Sequence, residues 1–264
     1  MPNWNQPSMN RRPVHAVLLA AGRGKRLAPH TDHVPKPLLA LNGRPLLEYT
    51  LHHLKQVGVL KLLIVVGYRG GMIQSYFGNG YKWGIDITYV EQTAAYGTGA
   101  AALLAESFVD RHPFFLGWGD ILAAETEYQG LFSHFSEGQH DGVMLLEPVE
   151  NPQNGAAVTL VGERVVSLVE KSTEAKAPWN QAGLSVYTQS IFSALKTISL
   201  SKRGELEFTA AVQQSINQGA SIAGLPMQTP RLHLTRSEDI PIVERVLAED
   251  PGYAPSIAQF TRDD

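Results

Sequence analysis

The sequence predicts an α/β fold, a doubly wound sheet flanked by helices. Two observations carry this. Apolar runs of strand length alternate with helical patterns from Val14 to Asp120. The Gly22 loop, Gln92 and Asp120 each follow a predicted strand, and ligands in such sheets meet the carboxyl ends of strands. After Asp120 the pattern turns strand-rich, so the sheet is expected to be mixed, with a Rossmann-like first half and a strand-rich second half.

Val14 to Leu19 is continuously apolar, as in the middle of a parallel sheet. Pro45 to Val59 carries Leu46, Leu47, Tyr49, Leu51, Leu54 and Val57 near helical spacing. Leu62 to Val66 is a second buried strand, stopped by Gly67. Ile85 to Val90 alternates, and alanine-rich Gly97 to Phe108 reads as a helix. Pro113 to Leu116 is a short strand ending at Gly117-Trp118-Gly119-Asp120. Further strands are expected at Gly142 to Pro148, Ala156 to Val161, Arg164 to Val169 and Gly183 to Tyr187. Helices follow at about Glu205 to Asn217 and Ser237 to Ala248. No linker or repeat interrupts the chain, so the expected division is a polar extension over 1–12, one domain over 13–248 and a tail over 249–264.

The composition is that of a globular protein: 264 residues, 44% hydrophobic and 18% charged. A formal net charge of −3 argues against a nucleic-acid partner held by a broad basic surface. Cysteine is absent, which excludes disulfides and thiolate-bound zinc and is compatible with a cytoplasmic location. No apolar run reaches the ~18 residues of a membrane span, so no membrane partner is expected.

The densest chemistry lies in Leu18 to Leu39, LLAAGRGKRLAPHTDHVPKPLL. A strand runs into Gly22 and Gly24, which can take positive φ and turn backbone N–H groups toward an anion. Arg23, Lys25 and Arg26 add positive charge. Pro35 and Pro37 stiffen the chain around Lys36. Leu27 stands where a G-x-G-x-x-G loop needs its third glycine, and no Gly-Lys-Ser/Thr follows as a Walker loop requires. The stretch is a polyphosphate holder of another kind.

Residues 19 to 37 resemble the signature of sugar-phosphate nucleotidyltransferases, LAAG-x-G-x-R followed by Pro-Lys-Pro. The resemblance covers about residues 13 to 248. It implies that Leu19, Ala20, Ala21, Gly22 and Gly24 meet the nucleotide, with Arg26 on the β- and γ-phosphates. Lys36 and Lys171 would then bring a sugar phosphate to the α-phosphorus. Gln92, Gly97 and Thr98, in EQTAAYGTGAA, would read the base, favouring UTP or dTTP. Gly155, Glu170, Asn180 and Gln181 would form the sugar half of the site. Asp120, at a strand end among glycines, would hold Mg²⁺.

Two positions depart from the family pattern. Asn180-Gln181 precede Gly183 where relatives carry one Asn two residues before the glycine. His233 stands where relatives have an aspartate as the second metal ligand. Imidazole suits Mn²⁺, Co²⁺ or Zn²⁺ better than Mg²⁺. Three readings stay open: the metal rests on Asp120, phosphates and water; His233 is a ligand; or the site is weakened. The first is preferred, since Mg²⁺ keeps several waters. Ser237, Glu238 and Asp239 read as a helix start. The remaining histidines, among them His30, His33, His52 and His53, show no metal spacing, and the tryptophans read as packing.

The implied reaction joins an NTP and a sugar 1-phosphate into an NDP-sugar and pyrophosphate. Two rivals are a cytidylyl- or guanylyltransferase for another phosphorylated acceptor, and a non-catalytic sensor of nucleotide sugars. Self-association as a homo-oligomer is left open.

Overall fold

The computed structural model describes residues 11–94, 96–171, 173 and 177–254. The expectations for residues 1–10 and 255–264 lie outside them. The chain opens with β1 (His15–Ala20), then a small hairpin, β2 (Ala40–Leu41) and β3 (Arg44–Pro45), leading into α1 (Leu46–Gln56). Next come β4 (Lys61–Val66), α2 (Gly70–Phe77), β5 (Asp86–Glu91), α3 (Thr98–Leu103), α4 (Glu106–Val109) and β6 (Phe114–Trp118). The second half holds β7 (Ile121–Leu122), α5 (Glu125–Glu137), β8 (Gly142–Pro148), β9 (Ala156–Val161), β10 (Arg164–Glu170) and β11 (Trp179–Tyr187). It finishes with α6 (Ile191–Leu195), α7 (Phe208–Asn217), β12 (Ile222–Pro226), β13 (Leu232–His233) and α8 (Asp239–Glu249).

Nine strands form one mixed sheet in the order β5-β4-β1-β6-β11-β8-β12-β10-β9. The first four are parallel, and β11 runs against both β6 and β8. Trp179 and Asn180 of β11 also pair with Val158 and Ala157 of β9. The strand order therefore returns on itself, and β11, β8, β12, β10 and β9 make a ring of pairings.

Alternation within the strands builds two cores. Ala16, Leu18 and Ile64 face Leu47, Leu51 and Leu54 of α1 and Tyr128, Leu131, Phe132 and Phe135 of α5. Val17, Leu63 and Val65 face Ala101 and Ala102 of α3, Phe192 of α6 and Phe208 and Val212 of α7. A third cluster packs the outer side of α1, through Leu46 and Tyr49, against Val243 and Leu247 of α8. Covered on two sides, α1 buries His52 and His53 as well, where the sequence pattern gives only an amphipathic helix.

The structure differs from expectation in several elements. Helices α2, α5 and α6 and strand β12 are not among those predicted. Gly70, Gly71 and Gly78 disguise α2, because glycine lowers helix propensity. The helix expected over Gly97 to Phe108 is broken between α3 and α4. Strand β11 starts four residues before Gly183, at Trp179. Both predicted termini are also partly anchored. Arg11 Nη2 donates to His140 O at 2.7 Å, and Arg12 donates to Val57 O. Beyond α8, Tyr253 is buried and its hydroxyl donates to Pro230 O at 2.5 Å. Packing therefore continues to Ala254, past the tail boundary drawn at 249.

Candidate active site

A cleft of about 1150 Å³ opens at the carboxyl ends of β6, β8 and β10 and the amino end of β9. Arg26, Thr98, Asp120, Gly155, Glu170, Lys171, Asn180, Gln181 and His233 all line it. Residues from seven separate segments thus converge there.

The two halves of the N-terminal motif are packed together. Gly24 adopts φ 67, and a Cβ there would stand 3.3 Å from Lys36 Cβ and from Thr31 Cγ2. Its left-handed backbone lets the loop lie on the Lys36 stem. Gly22 is exposed and does not use positive φ, contrary to the sequence expectation; a Cβ there would meet nothing within 4 Å. Lys36 sits in a short 3₁₀ turn after Pro35, and its Nζ forms an ion pair with Asp120 Oδ2. The backbone around Leu19 to Ala21 is spent on the sheet, with Leu19 O accepting from Gly119 N at 2.9 Å. Arg26 lies in an earlier 3₁₀ turn, Lys25–Leu27, and reaches the cleft with no carboxylate partner among the described residues.

Gln92, Gly97 and Thr98 are tied to one another and to α7. Gln92 Nε2 donates to Gly97 O at 3.1 Å, and Thr98 Oγ1 accepts from Phe208 N at 3.1 Å. Thr98 therefore caps the start of α7 as well as lining the cleft. Gly97 has φ 94, and a Cβ there would be 2.6 Å from Leu206 O.

On the strand-rich side, Gly155 lies directly against Asn180: a Cβ at Gly155 would fall 2.5 Å from Asn180 Nδ2. Asn180 is buried and its Oδ1 has no hydrogen-bond partner among the described residues, an acceptor held ready at the cleft wall. Gln181 is also buried, and its Nε2 donates to Ser185 Oγ at 3.3 Å. The pairing with β8 shifts register between Gln181 and Ser185, where Gly183 takes φ 83. Ahead of that bulge Asn180 and Gln181 pair in regular register with Glu147 and Leu146, and both line the cleft at the amino end of β11. Burial raises the Glu170 carboxyl above its usual range. Lys171 opposes this, Glu207 reinforces it, and Arg203 and Thr209 oppose it. Lys171 has φ 43, and its N–H donates to Gly155 O at 2.8 Å.

His233 pairs across β13 and β7 with Ile121, which places it beside Asp120. Burial and then Arg231 lower its pKa, against Glu147, Asp239 and Asp120. Its imidazole is accordingly neutral near pH 7, with a lone pair to offer. The Asp239 carboxylate accepts from Thr235 N at 2.6 Å and Arg236 N at 2.7 Å, fixing the turn before α8. No third His, Asp or Glu among the described residues completes a ligand set around Asp120 and His233. One carboxylate and one imidazole fit a cation that draws most of its ligands from phosphate and water.

Sequence reasoning missed the charged pairs of the cleft. Arg231 Nη2 meets Glu147 Oε2 at 2.5 Å, and Arg203 Nη2 meets Glu207 Oε1 at 2.6 Å. None of the four stands in a motif; Arg203 and Glu207 are four residues apart, whereas only the fold brings Arg231 to Glu147.

Residues 15–229 match the model of the nucleotidyl transferase family. The low-salt glycan biosynthesis nucleotidyltransferase of Haloferax volcanii is 32% identical over 90% of this chain and 67% of its own length. A UTP–glucose-1-phosphate uridylyltransferase of the same organism is 30% identical over 91% of this chain and 99% of its own. A Bacillus anthracis structure assigned as a glucose-1-phosphate thymidylyltransferase, in complex with sucrose, superposes with a TM-score of 0.81 at 25% identity, covering 93% of this chain and 98% of that one. With the family model spanning both halves of the sheet and the cleft between them, the chain belongs to the nucleotidyl transferase family.

Proposed function

We propose that the protein joins an NTP, UTP or dTTP by preference, to a sugar 1-phosphate, giving an NDP-sugar and pyrophosphate. The observation that carries this is the convergence of Arg26, Asp120 and Lys171 on one cleft, with Lys36 paired to Asp120. The uridylyl- and thymidylyltransferase names of the relatives support the choice of bases.

In the reaction a sugar-phosphate oxygen attacks the α-phosphorus, the α–β P–O bond breaks, and its electron pair leaves with pyrophosphate. A phosphate monoester is nucleophilic near pH 7, so this chain needs no general base. Its work is positioning and charge neutralisation. Arg26, exposed and without a carboxylate partner among the described residues, binds the leaving phosphates. Lys36, on its proline-stiffened turn, and Lys171 hold the incoming phosphate. Asn180 and Glu170 orient the sugar, and Gln92, Gly97 and Thr98 face the base. Asp120 would hold Mg²⁺, which supplies charge neutralisation on the polyphosphate when bound.

Pyrophosphate release should require Mg²⁺ and both substrates. Asp120→Asn should reduce the rate on the order of 10²–10³, as for other lost transition-state contacts. No release from any NTP and sugar 1-phosphate pair, with tight nucleotide-sugar binding, would leave a sensor instead.

A further inference from the structure

At the far end of the sheet from the cleft, three ligand-type side chains meet that the proposed reaction does not use. His134 lies in the last turn of α5, His140 in the loop leading to β8, and Glu163 in the turn joining β9 to β10. We infer that His134, His140 and Glu163 form a binding site for one divalent transition-metal ion of the zinc class, clamping the α5–β8 junction to the β9–β10 turn.

The geometry is that of a ligand set. His134 Nε2 lies 3.3 Å from Glu163 Oε2, and His140 Nε2 lies 3.3 Å from Glu163 Oε1. One ligand atom from each of the three residues falls within 4.8 Å of the others. Zinc bonds of about 2.0–2.1 Å in a tetrahedron put neighbouring ligand atoms about 3.3–3.4 Å apart. His134 Nε2 is buried, yet makes no hydrogen bond among the described residues, despite that carboxylate at 3.3 Å. Metal ligands aim at a common centre rather than at each other, so a short contact with poor hydrogen-bond alignment is the expected pattern.

The surroundings fit as well. His140 Nδ1 is 3.1 Å from Ser221 Oγ. With Nδ1–H donating to that hydroxyl, the Nε2 lone pair is free for a metal, and the ring orientation is fixed from behind. Ser221 is itself held, its N–H donating to Asp141 Oδ2 at 2.9 Å. The C-terminal end of α5 favours positive charge. The nearby Arg11 guanidinium lies over Phe135 and donates to His140 O rather than to the carboxylate. Glu163 O also accepts from Gly224 N at 2.8 Å, so the glutamate stands on a fixed turn. Two His and one carboxylate leave a fourth place for water. Sequence spacing hides the set, because the glutamate comes 23 residues after His140, on another element. Strand β8 spans seven residues, roughly 20 Å, between this site and the cleft.

The test uses the untagged full chain, stripped with chelator, carrying Asp120→Asn so that the cleft contributes little. Isothermal titration with Zn²⁺ should show one ion per chain, and Co²⁺ should give the visible absorption of a tetrahedral site. His140→Gln and Glu163→Gln should each weaken Zn²⁺ binding by about 100-fold or more, and the rise in Tm caused by Zn²⁺ should vanish. Circular dichroism checks that each variant folds. Binding weaker than about 100 µM in the parent chain would overturn the proposal. So would Zn²⁺ affinity unchanged in folded Glu163→Gln. Either result is independent of whether the cleft transfers nucleotides.

Discussion

Lys171 carries its ammonium into the cleft from a left-handed backbone, φ 43, which costs a non-glycine residue about 1 kcal/mol. Its N–H bond to Gly155 O holds the chain there, so the turn that aims the side chain also ties the two strands beside the cleft. Stability and activity should therefore part company at this residue. Lys171→Gly should be about 1 kcal/mol more stable than Lys171→Ala by urea titration, because only glycine relieves the backbone. Both should lose kcat/KM on the order of 10²–10³ through loss of the ammonium. Equal stability of the two variants would mean that the backbone relaxes on substitution, and retained turnover would remove Lys171 from the mechanism.

Between elements, a tight junction near the chemistry is Gly155 at the head of β9 against Asn180 of β11. Gly155→Ala drives a Cβ into the Asn180 amide, at 2.5 Å from Nδ2 and 2.8 Å from Cγ. The expected loss is about 1–3 kcal/mol in urea, with a raised KM for the sugar 1-phosphate and little change for the NTP. An unchanged KM would uncouple Asn180 from the sugar. This scale is also where the sequence is most and least readable. Strands β8 and β9 coincide with their predicted spans, since each is a dense apolar run with turn residues at one or both ends. Helix α5 is missed although Tyr128, Leu131, Phe132 and Phe135 repeat at helical spacing, so that pattern was there to read. Arg26, Lys36 and Asp120 stand out because their motifs are local. Arg203 and Arg231 do not, because their partners Glu207 and Glu147 matter to the cleft only once strands from both halves converge.

For the whole molecule, the buried His53 of α1, held by the turn after α8, sets a response to acid. His53 Nε2–H donates to Tyr253 O at 3.1 Å and its ring stacks on Tyr128. Burial holds its pKa at about 4, down from 6.5. Above pH 6.5 both folded and unfolded chains leave it neutral. Between 6.5 and 4 only the unfolded chain takes the proton, so stability falls across that window, by up to about 3 kcal/mol, and levels off below it. His15, also lowered to about 4, first by burial, acts in the same direction. His53→Gln should lose stability less steeply than the parent in urea titrations from pH 7 to 4; parallel curves would place the acid sensitivity elsewhere.

The ring of pairings from β11 through β8, β12, β10 and β9 has a consequence for crowded solutions. A sheet with two open edges can add copies of itself without limit, whereas this strand order closes one edge on itself. Among the described residues, β5 is left as the outer strand of the other edge, with Asp86 and Glu91 at its two ends. Copies that met through their sheets could pair once across β5 and then stop, so growth by strand addition ends at two chains rather than at a fibre.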